Sequence, residues 1–133
     1  SHYLKMNGYE MHYVDEGNPS DPIVLLLHGE PTWSFLYRKM IAPLVAGGYR
    51  VIAPDLIGFG KSDKYVSKEA YSYAAHLQWL TTFIERIELR DIHLFCQDWG
   101  GLLGLRLAAE MSDRFTKIVA SNTTLPNGTR SPQ

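Results

Sequence analysis

Cys96-Gln97-Asp98-Trp99-Gly100-Gly101 decides how the chain is read. The four residues before it, Ile92-His93-Leu94-Phe95, read as a buried strand. The ten after it, Leu102 to Met111, read as a helix, and its Leu102–Ala109 part is apolar nearly all round, which predicts burial on every side. An aspartate therefore stands at the sharpest point of a strand-to-helix junction, with small residues, Cys96 and Gly100, on either side. Small flanks suit a tight, strained backbone. The helix that follows aims its partly positive N-terminus at Asp98, which favours the ionised carboxylate. The plain alternative is an ordinary helix N-cap, a common task for aspartate.

On both sides of this hexamer strands alternate with helices. Tyr3–Met6, Asn7-Gly8 and Tyr9–Val14 read as a hairpin, because Asn-Gly is a strong turn signal. Ile23-Val24-Leu25-Leu26-Leu27 is a continuous apolar run, as in a strand buried on both faces. Arg50–Ala53 and Lys117–Ser121 are further short strands. Leu77, Leu80, Ile84 and Ile87 share one helical face, with Ser72 as a candidate cap. Pro43 is expected to interrupt the segment after Trp33, and Gly47-Gly48 to end it. This alternation predicts an α/β fold with a mostly parallel sheet and helices on both faces. Ligands in such folds bind beyond the carboxyl ends of the strands. Two segments occupy such ends: the opening hexamer and His28-Gly29-Glu30-Pro31-Thr32-Trp33, which follows Leu27.

Composition removes several classes. The chain has 133 residues, 45% hydrophobic and 20% charged, enough for one ordinary soluble domain. A net charge of −1 gives no broad basic field for nucleic acid or an acidic membrane surface. No apolar run reaches the roughly 18 residues of a membrane span, and no secretion signal opens the chain. The single cysteine excludes an internal disulfide and suits a reducing compartment, so a cytoplasmic location is expected. Ser1-His2 without methionine suggests a processed or trimmed start. No cofactor is implied, and no His, Cys, Asp and Glu cluster has metal-ligand spacing. Gly60-Lys61-Ser62 resembles the end of a phosphate-binding loop, but its earlier glycine is replaced by Asp55. Asn122-Thr123-Thr124 and Asn127-Gly128-Thr129 match a glycosylation pattern that no signal peptide supports.

The hexamer has the order of a nucleophile elbow, in which serine is the usual central residue. Aspartate there changes the chemistry. A serine alcohol needs a base and suits attack on a carbonyl. A carboxylate is already anionic at neutral pH. It can displace a leaving group from saturated carbon and become an ester of the enzyme. Water then attacks the ester carbonyl, a step that needs a base and an oxyanion hole. By the motif's logic the backbone N–H groups of Trp99 and Glu30 form that hole.

His28–Trp33, Asp55-Leu56-Ile57-Gly58-Phe59-Gly60-Lys61-Ser62-Asp63 and Gln97–Gly101 together resemble the first half of a haloalkane dehalogenase of the α/β-hydrolase superfamily. The likeness runs over nearly all 133 residues. It implies Asp98 as nucleophile, a Trp99 indole N–H that holds the leaving halide, and a halogenated alkane and water as substrates. Indole is a donor only, so it suits an anion. Trp33, Phe59 and Leu102 are candidate pocket residues, with loop packing as the alternative. Glu30 departs from the branch that carries asparagine there; its side chain would repel halide and should point elsewhere. The resemblance also implies that residues 1–133 are the N-terminal part of the main domain, truncated before the helical cap and the last strands. The catalytic acid and the histidine base would then lie in the remainder of the chain. His2, His12, His28, His76 and His93 are not placed to act as the base, and His76 reads as a half-buried packing residue. Two alternatives stay open. An epoxide hydrolase shares the aspartate elbow, although Glu30 and Gln97 argue against it. A truncated hydrolase domain could act through binding alone.

Overall fold

The structure, a computed structural model, describes residues 2–6, 9–27, 38–55 and 73–121. Their strands form one six-stranded sheet: β1 (His2–Met6), β2 (Tyr9–Glu16), β3 (Ile23–Leu27), β4 (Arg50–Pro54), β5 (Ile92–Gln97) and β6 (Phe115–Ser121). The helices among the described residues are α1 (Arg38–Ala46), α2 (Tyr73–Arg86) and α3 (Asp98–Glu110), with a 3₁₀ turn at Ser112–Arg114. The sheet order is β1-β2-β4-β3-β5-β6. β1 pairs with β2, and β2 with β4, in antiparallel fashion. The β4-β3-β5-β6 portion is parallel throughout. The hairpin expected from Asn7-Gly8 is present, with Met6 opposite Tyr9.

Alternation along the strands sorts the side chains into two cores, because successive residues of a strand point to opposite faces. Ile23, Leu25 and Leu27 join Ile52, Leu94 and Cys96 beneath α2 and α3, where Leu80, Phe83, Ile84, Leu103 and Leu107 meet them. Val24 and Leu26 join Val51 and Ala53 on the other face, against Ile41 of α1. Helices therefore cover both faces, which is why β3 reads as an unbroken apolar run.

Three readings need correction. Pro43 lies inside α1 and does not break it. Gly47-Gly48 does end the helix: Gly48 has φ +92, and Tyr49 N–H donates to Leu44 O at 3.1 Å while Gly48 N–H donates to Val45 O at 3.1 Å. That pairing is a Schellman end. α3 is not buried on every side, because Leu105 is 39% exposed and Arg106 and Ala109 face solvent. An apolar residue on an outer face is ordinary, so composition alone overstated the burial. His76 is fully buried rather than half-buried and meets Trp79 edge-on, with ring centroids 4.8 Å apart. Ser72 and the Asn7-Gly8 turn lie outside the described residues.

Candidate active site at the carboxyl edge of the sheet

The junction at Asp98 is tighter than the sequence implied. β5 ends at Gln97 and α3 begins at Asp98, so no loop residue separates strand from helix. The helix starts four residues earlier than Leu102, and Asp98 is its first residue. Register fixes where this point lies. Leu27, the last residue of β3, stands opposite Cys96, and Gln97 stands opposite Ser121 of β6. Asp98 thus emerges just past the carboxyl edge, beside the strand whose continuation is the His28–Trp33 segment.

The topology singles out this spot. From β3 the chain runs through α1 to β4 on one side; from β5 it runs through α3 to β6 on the other. α1 and α3 lie on opposite faces. Connections that diverge from two adjacent parallel strands open a crevice beyond their carboxyl ends, the usual ligand position in open α/β sheets. The helix N-terminus adds partial positive charge there.

Below the junction the fit is close. Cys96 is fully buried, and its Sγ lies 3.8 Å from Gly101 O, to which the thiol donates. Burial pushes that thiol up to about 12. The buried Gly104 faces Cys96 across the helix–strand contact.

Asp55 follows β4 on the same edge. Its carboxylate Oδ2 lies 2.9 Å from His12 Nδ1, both side chains are buried, and Asp55 N–H donates to His12 O at 2.9 Å. The sequence placed Asp55 in a motif and gave His12 no role. The two are 43 residues apart, so only the β2–β4 pairing reveals them as partners. His93 lies in β5, where its ring meets Tyr49 at 6.1 Å between centroids.

The other expected site residues divide into two groups. Trp99 and Leu102 belong to the first two turns of α3. His28, Glu30, Trp33, Phe59 and the Leu56–Asp63 part of the second motif lie outside the described residues. Among the described residues no group of three or more His, Cys, Asp or Glu is placed to hold a metal ion. No described helix is long and apolar enough to cross a membrane.

A mostly parallel sheet, helices on both faces and a loopless strand-to-helix turn at its carboxyl edge are the marks of one fold, and the α/β hydrolase fold family matches residues 22–132. The chain belongs to that family. Among its relatives, the haloalkane dehalogenase of Psychrobacter cryohalolentis is 54% identical over 132 residues, covering 96% of this chain and 44% of the relative. That of Mycolicibacterium paratuberculosis is 51% identical over 135 residues, covering 98% of this chain and 45% of the relative. The chain therefore spans less than half the length of these relatives. The tetrameric haloalkane dehalogenase from Paraglaciecola agarilytica superposes with a TM-score of 0.87 at 46% identity, over 92% of this chain and 43% of that one. An epoxide hydrolase from Vigna radiata superposes at 0.82 with 28% identity, over 90% of this chain and 38% of that one.

Proposed function

We propose that these residues supply the nucleophile half of a haloalkane dehalogenase, and that they are the N-terminal part of its main domain. The observation that carries the reading is an aspartate as first residue of a helix joined to its strand with no intervening loop, at the crevice between β3 and β5. Relatives named for this activity at 51–54% identity support it.

The chemistry follows from a carboxylate in that place. An Asp98 oxygen attacks the carbon that bears the halogen. A carbon–oxygen bond forms as the carbon–halogen bond breaks, and the halide leaves with the electron pair. The Trp99 indole N–H receives the halide. Water then adds to the ester carbonyl, and its proton passes to a base. The backbone N–H groups of Trp99 and Glu30 hold the oxyanion. Collapse releases the alcohol and restores the Asp98 carboxylate. The base and the catalytic acid belong to the remainder of the protein. Trp33 and Leu102 line the pocket, and no cofactor takes part. A cytoplasmic location belongs to the same proposal.

An aspartate elbow also serves epoxide opening, and the epoxide hydrolase of Vigna radiata is a neighbour in fold. Substrate separates the two readings: halide released from 1,2-dibromoethane, against diol formed from an epoxide. In the full-length gene product Asp98→Ala should abolish halide release. Persistent turnover by a verified Asp98→Ala variant would remove Asp98 as nucleophile.

A further inference from the structure

α3 lies so near to β5 at Gly104 that a side chain there would be more crowded than most Cβ atoms are. A Cβ built on Gly104 would stand 3.0 Å from Cys96 Cβ, 3.0 Å from Cys96 Sγ and 3.1 Å from Leu94 Cδ2. The three neighbours differ in what they can yield. Leu94 Cδ2 is the far end of a flexible side chain. Cys96 Sγ is fully buried and faces Gly101 O. Cys96 Cβ is bonded directly to the β5 backbone and cannot turn away. β5 in turn is clamped between β3 and β6. The remaining relief is for α3 to lift from β5 by a few tenths of an ångström.

Such a lift reaches Asp98. Gly104 lies six positions after Asp98 in one unbroken helix, about 9 Å along its axis. A helix segment that short moves as a rigid body, so a shift at Gly104 is carried to the first residue. Cys96 is itself only two positions before Asp98, so the contact closes a small loop of structure around the junction. Propensity makes the test sharp. Alanine is a better helix former than glycine, so on helix propensity alone Gly104→Ala would be favourable; the opposite effect would come from the contact with β5.

We propose that Gly104 is a positioning residue for Asp98: its bare Cα against Cys96 sets how deeply α3 seats on β5, and so the point from which the carboxylate attacks. The catalytic consequence rests on the dehalogenase reading; the seating does not. The test uses the full-length gene product as wild type, as Gly104→Ala, and as the double variant Cys96→Gly with Gly104→Ala, which removes the opposing Cβ. Crystal structures should show the first turn of α3 displaced by a few tenths of an ångström from β5 in Gly104→Ala and returned in the double variant. A misplacement of 1 Å can cost about a hundredfold in rate, so a shift of this size should lower kcat about fivefold or more. KM should stay within about twofold, because substrate binding does not need the exact attack distance. The double variant should be faster than Gly104→Ala alone, whereas independent defects would make it slower. If wild type releases no halide, the dehalogenase reading falls and the crystallographic comparison still decides the seating. An unmoved α3, a moved α3 with unchanged kcat, or a double variant no better than the single one in folding or rate overturns the proposal.

Discussion

Cys96 shows how one residue can serve a junction without chemistry of its own. It stands at the small position two residues before Asp98, and burial raises its thiol from 9.0 to about 12. A thiol held protonated is a poor nucleophile, so it should react with a disulfide reagent only on unfolding. Because the folded value is the higher one, the stability it protects is complete below pH 9 and is lost as pH rises toward 12. Three units correspond to at most roughly 4 kcal/mol. Cys96→Ala should therefore flatten the alkaline side of the stability profile, measured by denaturant unfolding at pH 8 and pH 10.5. Equal alkaline losses in variant and wild type would show that other groups set the slope. At this scale the sequence was informative wherever the signal is local. Asp98 and its flanks were legible from six residues. The buried His12–Asp55 pair was not, because its partners meet only through sheet pairing.

Two of the helix ends share one solution. α1 ends with Gly48 at φ +92, while α2 ends with Glu88 at φ 56 and with Leu89 N–H donating to Ile84 O at 3.0 Å. A left-handed conformation is ordinary for glycine and costs other residues about 1 kcal/mol. Glu88→Gly should thus raise stability by about 0.5–1 kcal/mol, the gain being reduced by glycine's greater freedom in the unfolded chain. The reverse change is graded by surroundings. A Cβ on Gly48 meets nothing within 4 Å, so Gly48→Ala should cost about 1 kcal/mol for φ alone. A Cβ on Gly17, at φ +107, falls 2.5 Å from Tyr49 O, so Gly17→Ala adds overpacking and should cost about 2 kcal/mol or more. Equal costs from thermal unfolding would mean that the backbone relaxes at Gly17. The Gly47-Gly48 stop was readable because glycine marks it. The α2 stop was not, because glutamate gives no such mark. The start of α3 was misplaced for a related reason: Trp99, Gly100 and Gly101 are weak helix formers, and packing on β5 overrides their preference.

In the whole molecule, the β6 margin of the sheet exposes two large apolar side chains beside Lys117. Among the described residues β6 pairs with β5 on one side and has no strand on the other. Ile118 is 45% exposed and Val119 53% exposed, on opposite faces of this strand. On Val119's side, an apolar groove runs over Leu26, Met40, Leu44, Tyr49 and Phe95. The alternation of strands and helices was legible from strand-like runs of four to six residues, but the sheet order was not: it depends on contacts between segments far apart in sequence. An unpaired edge with exposed β-branched residues invites pairing with another chain. The polypeptide of these 133 residues, expressed by itself, should therefore associate in a concentration-dependent way. Val119→Lys places a charge on that margin, a common device against edge pairing, and should shift the population toward a species of 15.1 kDa. Sedimentation velocity across a hundredfold range of concentration reads the effect. Association unchanged by Val119→Lys would locate the sticky surface elsewhere; a wild-type polypeptide that stays monomeric throughout would mean that the β6 margin is covered within the chain itself.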